Sequence, residues 1–234
     1  MNPIRWLQIE FKSDFRVGSG FGLAGLIDHI AVKSRNGVPY VPGSTLKGRL
    51  RMICKQAVLA MADSPRPESE KNIYFSTRGI ICQSAAEKEI CKDPDVQKCC
   101  VMCRLFGSEM HGGSLIFADA FPDNIDELEA VYIFNQDQTY LPLSWRTNVK
   151  LSRQSRVSEP KMLTTSEVVP NIKLFTARIY RTNYVEPWPT IESDLALLSF
   201  GASCITHLGA GKGRGLGRCI LTLTSEDPNA SHTG

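Results

Sequence analysis

The chain opens on alternation. In "WLQIEFKSDF" the apolar Leu7, Ile9 and Phe11 are separated by polar residues, the period of a strand with one buried face. "HIAVKSRNGVPYV" reads as two short strands around Asn36-Gly37, a dipeptide that suits a tight hairpin turn. The period then changes. From Ser44 onward Leu46, Leu50, Ile53, Cys54, Ala57, Val58 and Met61 recur at helical spacing, which predicts a helix with one buried stripe. "GSLIFADAFP" and "AVYIFNQ" predict further strands. "NIKLFTARIYRT" alternates through Ile172 and Leu174 and, after a phase slip, Ile179. Residues 190–208 predict a second amphipathic helix with Leu195, Leu198, Ala202 and Ile205 inward, and "GRCILTLT" predicts a closing strand.

Three stretches lack such a period. "RVGSGFGLAGLID" reads as a glycine-rich loop, residues 63–98 as a polar insertion, and residues 140–171 as an extended loop or long hairpin. Residues 225–234 read as a disordered tail. Strands with two main helices in this order predict an α+β fold with helices on one face of a sheet. No internal repeat is visible.

Composition narrows the class. Hydrophobic residues are 42% and charged residues 22% of the 234, the balance of an ordinary globular protein. No apolar run approaches the length of a membrane span. Gln8, Glu10 and Lys12 interrupt the N-terminal stretch where a signal peptide would be apolar, so the expected location is cytoplasmic, without a membrane partner.

Net charge is only +3, but the positive charge is gathered into blocks. Residues 44–55 hold Lys47, Arg49, Arg51 and Lys55 with no acid. Between Ser144 and Arg181 eight basic residues, among them Arg146, Lys150, Arg153 and Arg156, face only Glu159 and Glu167. Residues 205–218 hold Lys212, Arg214 and Arg218, again with no acid. On the first helix Lys47, Arg51 and Lys55 share a face, an arrangement that repels itself unless a polyanion covers it. Ser44 and Thr45 at that helix start can cap it or contact a phosphate. The bland reading is a solvated face.

"GAGKGRGLGR" places glycine at 209, 211, 213, 215 and 217. Such a run lets backbone amides approach phosphates while Lys212 and Arg214 add charge; the competing reading is a flexible turn. "GFGLAG" matches the dinucleotide fingerprint literally, but strand-like "HIAV" follows it and no acid appears between Asp28 and Asp63. A Rossmann site is therefore excluded. Asp28 itself, beside His29, can hold a divalent ion or orient a hydroxyl in RNA cleavage, or can be a turn residue. Of eight cysteines, five lie between Cys82 and Cys103. The Cys100–Cys103 pair has the spacing of a zinc knuckle, and Cys82 and Cys91 can complete a four-thiolate structural site; Cys99 or His111 can replace one ligand, and free thiols are the alternative.

"VPYVPGSTLKGRLR", "CRLFGS…GSLIFADA" and "GAGKGRGLGR", in this order, resemble the RAMP (repeat-associated mysterious protein) superfamily of CRISPR systems, and more narrowly the backbone subunit of type III effector complexes. "RTNVKLSRQSRVSEPKMLTTSEVVP" is similar to that subunit's basic thumb. The resemblance implies a single RRM-like, ferredoxin-type palm over 1–224, a thumb at about 140–171, and a zinc-binding insertion at about 63–104. It implies copies assembled in a filament with other effector subunits along a guide RNA. Each copy would grip the guide through Ser44, Thr45, Lys47, Arg49 and Arg51 and through Gly211, Lys212, Gly213 and Arg214. The thumb, with Arg146, Lys150, Arg153 and Arg156, would displace a base at a regular interval. Asp28 matches the position of the family's catalytic aspartate, which implies cleavage of guide-paired target RNA with Mg or Mn. Relatives carry cysteine-ligated zinc near "LFG", which implies Cys82, Cys91, Cys100 and Cys103 as ligands. The alternatives are a non-catalytic guide-binding subunit and a nuclease that processes precursor guide RNA. The latter usually works through histidine or tyrosine acid–base chemistry, for which the dispersed histidines here are poorly arranged.

Overall fold

The computed structural model describes residues 3–23, 26–62, 99–123, 143–171, 174–182 and 191–227. Strand β1 (Arg5–Phe11) leads to helix α1 (Gly43–Ala62), the short α2 (Val101–Phe106), and strands β2 (Leu115–Phe117) and β3 (Phe121–Pro122). Next come β4 (Ser144–Leu151), β5 (Ser158–Val168), β6 (Leu174–Arg181), α3 (Ile191–Ser203) and β7 (Cys219–Thr224). The main sheet has the order β2-β6-β1-β7, all pairs antiparallel, with β3 continuing along β6. Through β1, α1, β2, β6, α3 and β7 this is the β-α-β-β-α-β connectivity of ferredoxin-like domains.

One face of this sheet is buried and the other half-open, as alternation requires. Leu7, Ile9 and Phe11 of β1 meet Phe175, Ala177 and Ile179 of β6 and Leu221 of β7 in one core. Helix α1 adds Leu46, Leu50, Cys54 and Val58, and α3 adds Leu195, Leu198 and Ala202, so the helices do cover one face. Ile205, expected on α3, is buried just beyond its end. Cys54 and Cys219 belong to this core, and burial pushes both thiols up to about 12, so they act as small apolar groups. The ion pair of Arg181 Nη1 with Asp194 Oδ2, 2.8 Å, ties β6 to α3.

The phase of β6 differs from the one read in the sequence. Phe175, Ala177 and Ile179 point inward while Leu174 is only half-buried. Ala177 is small and hides the true alternation, so no phase slip is needed. The expected strand at "AVYIFNQ" and the insertion at 63–98 lie outside the described residues.

Residues 144–168 form a two-stranded hairpin, β4 with β5, separate from the main sheet. It is anchored at its base. Phe15 pairs with Val169 through both backbone bonds, at 2.9 and 2.8 Å. The Phe15 ring stacks on Phe11 at 3.7 Å, and Phe175 meets both rings edge-on. The chain leaving β1 is thereby fixed against the hairpin. The glycine-rich stretch after it is a paired ribbon rather than an open loop. Val32 N–H donates to Val17 (2.8 Å), Ser19 N–H to Ile30 (3.0 Å) and Leu23 N–H to Ile27 (2.7 Å).

Candidate nucleic-acid interface

The ribbon delivers Asp28 and His29 to strand β5. Asp28 N–H donates to the Thr165 carbonyl (2.9 Å), and Thr165 N–H donates back to Asp28 Oδ2 (2.7 Å). Glu167 N–H donates to the His29 carbonyl (2.9 Å). The buried Glu167 carboxylate then accepts from Ala31 N–H (2.9 Å) and from Lys33 Nζ (2.7 Å). These bonds hold the ribbon to the hairpin base. Asp28 is exposed there, with one carboxylate oxygen already accepting an amide.

The glycine loop is fixed on the opposite side of that base. Ala210 N–H donates to the Arg16 carbonyl and Gly217 N–H to the Asp14 carbonyl, both at 2.8 Å. Not every glycine in the run serves the same end. A side chain at Gly217, whose φ is +74, would collide with the Leu208 carbonyl oxygen. Gly213, in the single turn Lys212–Arg214, has no positive φ, and a methyl group there would meet nothing within 4 Å.

Between hairpin and loop lies a cleft of about 880 Å³. Arg16, His29, Lys150, Lys212 and Arg214 line it with Asn148, Thr164, Ser166, Gly211 and Gly213, and among the described residues no carboxylate does. An adjoining recess of about 140 Å³ shares Arg16, Asn148, Ser166, Gly211 and Arg214. Burial, and then the charge of Arg214, lowers the pKa of Arg16. Burial, and then Arg49, lowers that of Lys212, which places the first helix's Arg49 in the electrostatic field of the glycine loop. An open cleft lined by cations with adjacent backbone amides can accept a polyanion.

The remaining predicted residues do not line this main cleft. Lys47 neighbours Arg51 on α1; burial first, and then Arg51, lowers its pKa. Arg49 is two residues, about 200°, around the helix from Lys47. The basic residues of α1 therefore flank the buried stripe on both sides. The Gly43 amide at the helix start donates to Asp119 Oδ1 (2.7 Å), so a carboxylate from "FADA" occupies that amide. Ser44 is exposed and Thr45 half-buried beside it. Arg146 pairs with Asp14 at 2.9 Å and so ties β4 to the segment after β1. Arg153 and Arg156 sit exposed in the hairpin turn, where Arg156 takes the left-handed φ of 56°. Cys100 and Cys103 are buried at the start of α2, one turn apart, a placement that suits two thiolates of one metal site. Cys82 and Cys91 lie outside the described residues, among which no three potential ligands converge.

Arg16, His29, Asn148 and Ser166 were not singled out from the sequence. Arg16 had one local signal: a lone cation between Phe15 and Val17, both of which are buried. His29 and Ser166 meet through pairing between segments more than a hundred residues apart, and Asn148 is carried in by the hairpin opposite Thr164, so none leaves a local trace.

Topology, hairpin and cleft together define a mixed α/β domain with antiparallel sheets and a basic face at the hairpin base. A family model for the RAMP superfamily matches residues 8–220, and the chain belongs to that superfamily. Its fold is similar to a chain of the type III-B Cmr-beta complex bound to cognate target RNA, with a TM-score of 0.50 and 14% identity over 94% of this chain and 96% of that one. A chain of the apo Cmr-beta complex gives a TM-score of 0.51 and 12% identity with the same coverage. No curated protein sequence matches. No helix among the described residues is long and apolar enough to cross a membrane.

Proposed function

We propose that this chain is a guide-RNA-binding backbone subunit of a type III CRISPR effector complex, and that it cuts guide-paired target RNA at Asp28. The acid-free cleft beside Asp28 carries the reading. The hairpin serves as the thumb and the main sheet with its helices as the palm. Lys150, Gly211, Lys212, Gly213 and Arg214 hold the RNA backbone in the cleft. Ser44, Thr45, Lys47, Arg49 and Arg51 extend the grip along α1, and Arg146, Arg153 and Arg156 extend it along the thumb. Superfamily membership, and the likeness to a chain of a complex described with target RNA, support RNA and other effector subunits as partners; further copies of the chain along the guide are part of the proposal.

Asp28 offers one carboxylate oxygen beyond the one held by Thr165, enough for a Mg or Mn ion that takes its other ligands from water and phosphate. Such an ion would supply charge stabilisation at the scissile phosphate. The chain's own contribution is to fix the Asp28 carboxylate through the Thr165 amide. A second reading, a subunit that only holds guide RNA, has one observation in its favour: the same bond gives Asp28 a purely structural task.

RNA binding is tested by its salt dependence. Lys47→Ala with Arg51→Ala should weaken guide binding and flatten the slope of log K against log salt by roughly 0.7 for each phosphate no longer neutralised. An unchanged slope would return this stripe to a solvated face. For the proposed structural zinc on Cys82, Cys91, Cys100 and Cys103, metal analysis should give about one zinc per chain. Cys100→Ser with Cys103→Ser should lose it; full zinc content in that variant would reject the site.

A further inference from the structure

We infer that Arg16 and Arg214 form a shared seat for a single RNA phosphodiester at the hairpin base, with Ser166 as the residue that positions Arg16. This rests on the RNA-binding reading above and assigns roles to Arg16, which lies outside the basic blocks of the sequence, and to the uncharged Ser166. Both arginines line the main cleft and its recess, and among the described residues no acid lines either.

Arg16 is held at three points. Its flanking residues Phe15 and Val17 are buried, its carbonyl accepts from Ala210, and Nη1 donates to Ser166 Oγ at 2.9 Å. Its Nε is enclosed and, among the described residues, has no hydrogen-bond partner. Arg214 approaches from the glycine loop, where its N–H donates to the Gly211 carbonyl at 2.8 Å. Two guanidinium groups brought together with no acid between them repel. A phosphodiester removes the repulsion, and its oxygens suit the planar donor forks of arginine. Burial first, and then the charge of Arg214, lowers the pKa of Arg16, so the two cations lie within each other's field. Arg16 is bonded to the hairpin and Arg214 belongs to the loop, so a phosphate between them joins the two walls of the cleft.

The test uses the full chain and a labelled single-stranded uridine homopolymer, with affinity measured across a salt series. Arg16→Gln removes the charge and keeps a polar, hydrogen-bonding side chain. It should weaken binding about tenfold and lower the salt slope by about 0.7, the value for one phosphate on a single strand. Arg214→Gln should do the same, and the double variant should lose little more slope than either alone. Arg16→Lys should keep the slope and lose affinity. Additive slope losses would overturn the shared seat, because they would mean two separate phosphates. Wild-type binding by Arg16→Gln, with Lys212→Ala impaired, would overturn the seat and leave the RNA-binding reading standing. Wild-type binding by every one of these variants would overturn both. If Arg16→Gln does not fold, Ser166→Ala keeps the charge and frees it: reduced affinity at an unchanged slope supports the seat, and unchanged affinity overturns it.

Discussion

Asp28→Ala is expected to reduce cleavage of guide-paired target RNA by the assembled complex at least about a hundredfold, the scale of a lost catalytic proton-transfer or charge-stabilising group. Guide binding should survive, since Asp28 is an acid outside the set that lines the basic cleft. The alanine variant alone is ambiguous, because it also removes the acceptor of the Thr165 amide. Asp28→Asn resolves this. Its carbonyl oxygen can take the same amide bond, while the charge and the metal affinity are lost. Cleavage lost in both variants with guide binding kept identifies a catalytic carboxylate. Cleavage lost in alanine but kept in asparagine identifies a group that only positions the hairpin. Cleavage retained at every position in both removes Asp28 from the chemistry and leaves the guide-holding subunit.

That test exists only because of a hydrogen bond between residues 137 apart in the chain. Local periodicity could not show it. The stripe Leu46, Leu50, Cys54 and Val58 was legible because a helix repeats its buried face within a few residues, each apolar side chain reinforcing the next. β1 was legible for the same reason. β6 was misread in phase because Ala177, a weak hydrophobic signal, holds a central core position. The basic blocks showed where charge accumulates but not which way it faces. Arg49 comes into the field of Lys212, while Lys47 neighbours Arg51 on the other side of the buried stripe. Ser44 looked like a natural cap, yet Asp119 reaches the Gly43 amide from a segment that sequence reading treats only as a strand. Hydrophobic pattern thus fixes elements, and pairing between distant elements decides which polar groups share a site.

The glycine run separates these two kinds of information within nine residues, and substitution should separate them too. Gly217→Ala is expected to destabilise the fold by about 3 kcal/mol or more, from the left-handed backbone and from backbone displacement. Its new methyl would drive into the Leu208 carbonyl oxygen. The loop would then have to give up the 2.8 Å bonds that Gly217 makes to Leu208 and Asp14. For a chain of this size that corresponds to a fall in melting temperature of roughly 6–12 °C. Gly213→Ala should change stability by no more than about 0.5 kcal/mol, because the position is exposed, has no left-handed φ and has open space around it. If RNA backbone runs against this turn, the added methyl stands in its way, and Gly213→Ala should weaken guide binding while melting like the wild type. Equal RNA affinity in a normally melting Gly213→Ala protein would mean that the glycines serve the turn alone, and that the loop contributes to binding only through Lys212 and Arg214.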